Sequence, residues 1–236
     1  SAAYFVNQRQ VQLSEGQLPT LQEVPAVAQP VVEYYQSCIR QVGRDALRLV
    51  GLHGGYTSSQ SLRSNPYDPT GANNDGVHLF QDTDLVAAYW HYLKSPNNCE
   101  KLGECVYDTK RPPLRGRDSI QSDLEDYVSA NLPSCLRDFP MEGVTVKQDD
   151  DIDTRVTITS QNVQFLVNHD LVIQRGGESY PRDQFLYVEN LNIVEIYDLA
   201  TEITNLERQF NYLEKMTKEL ISSFSGRSRN RMPPIA

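Results

Sequence analysis

The sequence lacks the motifs that mark the commonest catalytic and nucleotide-binding sites. It contains no G-x-S-x-G, no H-E-x-x-H and no glycine-rich loop followed by Lys-Ser or Lys-Thr. None of its asparagines stands in an N-x-S/T context, so an N-glycan coat is not supported. No apolar run approaches the roughly 20 residues that a membrane-spanning helix needs. We therefore expect no enzyme and no membrane span within this sequence.

Basic residues are in the minority, and an initiator methionine is absent. The sequence contains 22 Lys and Arg and 31 Asp and Glu, which gives a net charge of −9 and a pI near 4.9. Because phosphate binding needs clustered positive charge, nucleic acid is not expected as a partner. The chain starts at Ser1, so a signal peptide or membrane anchor upstream of it would be invisible in this sequence.

What the sequence does have is enough apolar material for a packed core. Its 236 residues are 39% hydrophobic, the mean hydropathy is −0.51, and proline and glycine number only 13 each. This composition excludes a wholly disordered or collagen-like chain. The length suits one large domain or two small ones.

The cysteines form an even set without the spacing of a local zinc site: Cys38, Cys99, Cys105 and Cys135. Four half-cystines allow three pairings. We favour Cys38–Cys135, which ties two helices together, with Cys99–Cys105, which closes a short loop. Such bridges predict a compartment outside the cytoplasm, at the cell surface or in the envelope. Four reduced, buried thiols in a cytosolic protein are the alternative.

The pattern of composition predicts four parts. Residues 1–30 read as an N-terminal arm and a proline-rich linker, and residues 31–190 as an α+β domain. A long helix over 191–225 and a tail over 226–236 follow.

Two cysteine-bearing helices are predicted in the α+β domain. Apolar residues recur at helical spacing over 31–50, and Gly54 with Gly55 marks the exit from that helix. A second helical pattern runs over 118–136, where Pro133 predicts a bend or an early end. The short apolar stretch 85–93 fits either a strand or a helical turn.

From Val144 the apolar period changes to two, which predicts an antiparallel meander with one solvated face. The short strands V-T-V-K, R-V-T-I-T, N-V-Q-F-L-V-N and L-V-I-Q-R would be separated by turns at D-D-D-I-D, S-Q-N and N-H-D. The predicted fold class is therefore α+β, with the two cysteine-bearing helices packed on this meander.

The C-terminal helix carries apolar residues at alternating spacings of three and four, the pattern of a coiled-coil seam. A helix packed on its own sheet is the alternative. As an oligomer interface we predict Ile196, Leu199, Ile203, Leu206, Phe210, Leu213, Leu220 and Phe224.

Candidate ligand sites are few. The acidic run 148–153 and the Asp/Asn/Gly run 68–76 have the oxygen ligands that calcium prefers, but neither has EF-hand spacing. Ordinary turns are the favoured interpretation, so we expect no cofactor, with calcium as a weak alternative. Tyr56, Tyr67 and Trp90 are candidate ligand contacts, against the alternative that the aromatic residues of this region belong to the core.

Three stretches together resemble a group of archaeal single-pass membrane proteins. They are V-E-Y-Y-Q-S-C-I-R-Q-V-G-R-D-A-L-R-L-V-G-L-H-G-G-Y over 32–56, Y-W at 89–90 and L-E-D-Y-V-S-A-N-L-P-S-C-L over 124–136. The resemblance covers about residues 31–224 and implies a membrane helix upstream and a domain facing outward. Members of the group usually have Gln where this chain has His53, so no role is carried over to that position.

These patterns predict a non-enzymatic structural subunit of a surface layer, filament or envelope complex, forming a homo-oligomer or polymer. Residues 1–13 are a second candidate contact, since they can add a strand to a neighbour's sheet. The first alternative is a membrane-tethered binding module or adhesin that uses the 56–93 region. An extracytoplasmic hydrolase is the second. Other surface proteins are further candidate partners, and any membrane contact is expected only through a segment outside this chain.

Overall fold

The computed structural model describes residues 25–65, 67, 74–80, 83–94, 106–136 and 142–225. Within these residues the protein is α+β with antiparallel sheets, as predicted. The described chain divides into two compact units. The first comprises the residues up to Leu47 together with Gln121–Asn192, and the second comprises Arg48–Ile120 together with the residues from Ile193 onward.

The described elements follow one another in a mixed order. The helices are α1 (Gln29–Leu52), α2 (Ile120–Asn131), α3 (Ile193–Phe210) and α4 (Tyr212–Ser225), with single 3-10 turns at Ser59–Ser61 and Leu132–Ser134. The strands are β1 (Gly76–His78), β2 (Val86–Ala88), β3 (Tyr92–Leu93), β4 (Tyr107–Asp108), β5 (Val144–Ile158), β6 (Val163–Arg175) and β7 (Glu178–Glu189).

In the first unit α1 packs on the sheet through the apolar face that its sequence predicts. Val31, Tyr35 and Ile39 are fully buried. The Tyr35 ring meets Phe185 of β7 edge-on, with 4.7 Å between ring centroids. A Cβ on Gly43 would lie only 3.3 Å from the Tyr187 ring, so glycine allows close approach of the helix.

The meander is confirmed, but it consists of three long strands, paired in the order β5-β6-β7. The acidic run 148–153, predicted to be a turn, lies inside β5, at a bulge between Gln148 and Ile152. The N-H-D stretch lies inside β6, at an irregularity between Asn168 and Leu171. A bulge absorbs extra residues without ending the ladder, and therefore these polar stretches do not terminate the strands.

The outer edge of β5 is covered by side chains from one face of α2. Gln121 Nε2 donates to the Val156 carbonyl oxygen at 2.9 Å, and Val156 N–H donates to Glu125 Oε1 at 2.8 Å. Thr154 N–H donates to Ser129 Oγ at 3.1 Å. The three α2 residues are four positions apart, and therefore line one helix face. This edge cannot pair with another strand while α2 occupies it.

The predicted Cys38–Cys135 disulfide is present, with the two Cα atoms 6.1 Å apart. Cys38 lies in α1, but Cys135 follows the turn Leu132–Ser134 and so lies outside α2. The prediction of a second cysteine inside a helix is wrong, since the helix gives way to a 3-10 turn at Pro133. Cys99 and Cys105 lie outside the described residues.

The second unit contains two small antiparallel pairs, β1–β2 and β3–β4. The ambiguous stretch 85–93 forms β2 and β3, so the strand alternative is correct. α1 ends at Leu52, and Gly54 and Gly55 have φ values of 66° and 110° that favour glycine.

The predicted single long C-terminal helix is not seen. α3 ends at Phe210 and α4 begins at Tyr212, because Asn211 has a left-handed φ of 48°. Asparagine tolerates this conformation better than most residues. The Leu213 N–H then donates to the Glu207 carboxylate, 2.9 Å from Oε1, so a side chain of α3 caps α4. In the part of the chain that the structure describes, no helix is long and apolar enough to cross a membrane.

Candidate functional site

The first candidate surface is a row of exposed apolar side chains on the two C-terminal helices, which we name the apolar stripe. Each of its members is between 48% and 59% exposed. The side chain of Phe224, also predicted in this row, is not among those that the structure describes. The stripe comprises Ile196, Leu199, Ile203, Leu206 and Phe210 of α3, with Leu213 and Leu220 of α4.

The second candidate surface is a groove of about 880 Å³ in the same unit, beside the stripe. The segment after β2, strand β4 and helix α3 all contribute to it. Ile203 and Leu213 belong to both surfaces, so a partner lying along the stripe would also cover part of the groove. The lining side chains are Trp90, His91, Tyr107, Ile203, Thr204, Glu207, Arg208, Asn211 and Leu213.

One wall of the groove is built around Trp90. Its indole Nε1–H donates to the Gly54 carbonyl oxygen at 2.8 Å, which fixes the ring against the turn after α1. The ring lies 5.4 Å from that of Tyr197 between centroids. The Arg111 guanidinium lies 5.9 Å from the Trp90 centroid and donates to Thr201 Oγ1 at 3.1 Å. Arg111 does not line the groove itself but lines, with Trp90, a smaller cavity of about 270 Å³ that shares several side chains with the groove. An aromatic face and a positive charge therefore lie together beside the groove.

The groove is also lined by two aromatic rings that stack on each other, those of His91 and Tyr107. The rings of His91 and Tyr107 lie 4.7 Å apart and only 17° from parallel. Burial lowers the pKa of His91, and the positive charge of Arg208 lowers it further. The imidazole is therefore neutral near pH 7, with one nitrogen able to donate and the other to accept.

The buried carboxylate of Asp75, just before β1, binds one side chain from the segment before it and one from the segment after β4. Asp75 accepts hydrogen bonds from Arg63 Nε at 2.9 Å and Arg63 Nη2 at 3.0 Å, and Lys110 Nζ lies 3.3 Å away. Hydrogen bonding from Arg63, together with Lys110, lowers the Asp75 pKa to about 2 despite burial. Asp75 also accepts from the Tyr89 N–H through its carbonyl oxygen, at 2.9 Å. This arrangement fixes the chain just before Trp90.

Of the predicted ligand contacts, only Trp90 lines the groove. Tyr56 donates its hydroxyl to the Lys110 carbonyl oxygen at 2.9 Å and so has a structural contact. Tyr67 is 91% exposed and is not a lining residue. Sequence reasoning missed Tyr107 and Arg208, which become neighbours of Trp90 only through folding.

Similarity to known proteins does not assign either surface. No protein-family model, curated protein or solved structure matches the chain. The resemblance to archaeal surface proteins therefore stays a prediction. Among the described residues no three His, Cys, Asp or Glu side chains are grouped as a metal site requires. Much of the 68–76 run lies outside those residues, so the prediction of an ordinary loop there, with calcium binding as its alternative, stays a prediction.

Proposed function

We propose that the protein is a non-enzymatic structural subunit of a cell-surface or envelope assembly. In this proposal it associates with other copies of itself through the apolar stripe. The observation that most directly supports this proposal is that seven large apolar side chains at heptad spacing are each about half exposed. Monomeric soluble proteins rarely leave such a contiguous apolar surface open.

The pattern of the stripe favours a helix as its occupant. Spacings of three and four place the apolar residues along one face, where side chains of a partner helix can fit between them. The same spacing continues from Phe210 to Leu213 across the break at Asn211. A second copy supplies the same row of apolar residues, which a two-fold axis can bring against the first.

The Cys38–Cys135 disulfide supports a location outside the cytoplasm. Disulfides persist in oxidising compartments and are rare in the cytosol of most organisms. A surface or envelope location fits this chemistry, with other surface proteins as further candidate partners.

Sedimentation velocity of a charged variant tests the proposal. Phe210→Asp places a carboxylate in the centre of the stripe, and we expect it to remove the contact through the stripe and so to lower the sedimentation coefficient. Phe80→Asp is the matched control, because Phe80 is also exposed, at 64%, but lies outside the stripe. Equal sedimentation coefficients for the wild-type protein and Phe210→Asp would contradict the proposal.

A binding module is the second candidate function, and the groove is the observation that favours it. Aromatic faces at Trp90 and the His91–Tyr107 pair lie beside the cationic side chains of Arg111 and Arg208. Flat apolar faces with adjacent cations suit an anionic carbohydrate. Titration with oligogalacturonate should change the fluorescence of Trp90, the single tryptophan, while neutral dextran should not. No change with either sugar would exclude this ligand class.

A further inference from the structure

The sheet of the first unit has two edge strands, β5 and β7, and they differ in what lies against their outer edges. The β5 edge is occupied by Gln121, Glu125 and Ser129 of α2. On the other side, β6 is the one partner of β7 among the described strands. No backbone hydrogen bond beyond that ladder involves residues 185–188 in the described chain. The β5 edge is therefore occupied at Thr154 and Val156, whereas the 185–188 edge of β7 has no such partner among the described residues.

The β7 edge is itself divided into a protected half and an unprotected half. Residues 178–184 carry Pro181, which has no N–H, and the charges of Arg182 and Asp183. Proline and charge are the usual means by which proteins prevent edge pairing. Residues 185–188, F-L-Y-V, contain no charge and no proline. Such a segment is a template for an added strand.

A segment of this chain has the chemistry to occupy that edge. Residues 1–13 contain no proline, no glycine and no acidic side chain, and residues 4–6 are the β-favouring Y-F-V. Arg9 is their single charged side chain. In β7 the three carboxylates of Glu178, Asp183 and Glu189 stand against Arg182, and Glu189 is paired with Arg44 at 2.8 Å. β7 therefore keeps a small acidic excess that the charge of Arg9 complements.

The connection is long enough for the segment to reach a neighbouring molecule. Eleven residues separate residue 13 from Pro25, where the described chain begins, and they include Pro19. An extended chain of this length spans about 40 Å, comparable to the diameter of a small domain.

We propose that residues 1–13 of one copy add as a strand to the 185–188 edge of β7 in another copy. The inference rests on the proposed function, since it requires that the protein assembles with itself. In addition to the contact through the stripe, it supplies a second contact between copies, of the head-to-tail kind. A heterologous contact of this kind that does not close into a ring generates a filament.

Hydrogen–deuterium exchange of the 185–188 amides tests the proposal in the full chain. We expect exchange there to slow by about tenfold or more as the protein concentration is raised. Deletion of residues 1–13 should abolish this protection, and a synthetic peptide of residues 1–13 should restore it. A peptide with Val6→Pro is the matched control and should not protect, because it lacks one of the strand's N–H donors.

Three results would overturn the proposal. The first is protection that does not depend on protein concentration, which would mean that the strand pairs within one molecule. The others are protection of β5 amides instead of β7 amides, and equal protection in the full and shortened chains. If the shortened chain does not fold, full-length Val6→Pro replaces it. The measurement is repeated in the Phe210→Asp background. Protection that persists there separates the strand contact from the stripe, so the two proposals can fail independently.

Discussion

The Tyr35 hydroxyl lies 2.6 Å from His169 Nδ1, and Nε2 of the same ring lies 2.9 Å from the Asp149 carbonyl oxygen. A carbonyl oxygen only accepts, so Nε2 carries the ring proton and Nδ1 accepts from Tyr35. Both side chains are almost completely buried. This chain of hydrogen bonds connects α1 to the irregular regions of β5 and β6, where the polar runs of the sequence lie.

Two chemically identical substitutions should have different effects on stability. Tyr35→Phe leaves a buried imidazole nitrogen without its donor, and should lower the free energy of unfolding by about 1–3 kcal/mol. Among the described residues, the buried hydroxyl of Tyr187 has no hydrogen-bond partner. Tyr187→Phe removes that unsatisfied group and should leave stability unchanged or raise it by up to about 1 kcal/mol. Urea unfolding of both variants measures the difference, and a larger loss for Tyr187→Phe would contradict this interpretation.

Acid should destabilise the first unit through His169. Burial lowers the pKa of His169 below its ordinary value of 6.5, and this outweighs the opposing effects of the Asp149 carbonyl and of nearby Asp170. The unfolded chain therefore takes up a proton before the folded chain does, and stability falls as the pH drops below about 6.5. Unfolding by urea at pH 7.5, 6 and 5 checks this trend.

His169→Gln is the control for that measurement, since it removes the ionisable ring and retains a donor and an acceptor. The variant should show a smaller loss of stability between pH 7.5 and 5 than the wild-type protein. His91, whose pKa is also lowered, contributes equally to both proteins. Identical pH dependence in the two proteins would show that His169 is not responsible.

At the scale of elements, α2 both buries apolar residues and closes a sheet edge. Ile120, Leu124 and Val128 are buried, while Gln121, Glu125 and Ser129 present polar atoms to β5. A helix in place of a fourth strand satisfies the edge with side chains, which leaves β7 as the available edge.

Removing the Glu125 side chain should lower the free energy of unfolding, because its carboxylate oxygen accepts a hydrogen bond from the β5 backbone. Glu125→Ala leaves the Val156 N–H without its partner and should lower the free energy of unfolding by about 1–2 kcal/mol. Glu125→Gln keeps an oxygen acceptor and should retain most of the stability. Thermal or urea unfolding compares the two, and equal losses would show that the hydrogen bond to Val156 is not the cause.

The whole molecule carries a net charge of −9, and the flanks of the stripe share its sign. Glu195, Glu202 and Glu207 are adjacent to the stripe residues, and no Lys or Arg occupies the corresponding flanking positions of the heptads. Two copies that meet through the stripe therefore bring carboxylates close together.

Self-association through the stripe should strengthen as salt is added. At about 0.5 M salt the repulsion between flanking carboxylates is screened over a few ångströms, whereas burial of the apolar residues is retained. Sedimentation velocity at low and high salt should show a larger oligomer fraction at high salt. Weakening of the oligomer by salt would indicate a partner surface with positive flanks instead of a second copy.

Much of the architecture follows from local patterns in the sequence. The apolar spacing of α1, its exit at Gly54-Gly55, the antiparallel meander and the Cys38–Cys135 pairing are all present in the structure. Periodicity determines which face of a helix or strand is apolar, because each element has a fixed repeat along the chain.

Backbone conformation at single residues and contacts between distant parts of the chain decided the rest. The 148–153 run stays in β5 because the ladder with β6 resumes beyond its bulge, and Asn211 divides the heptad helix by adopting a left-handed φ. The groove joins Trp90 to Arg208 across more than a hundred positions of sequence, which no local pattern encodes. The sequence alone determined that an apolar row exists at the C-terminus. Only the tertiary structure decided that the row is left exposed, and that residues 185–188 of β7 lack an edge partner within the described chain.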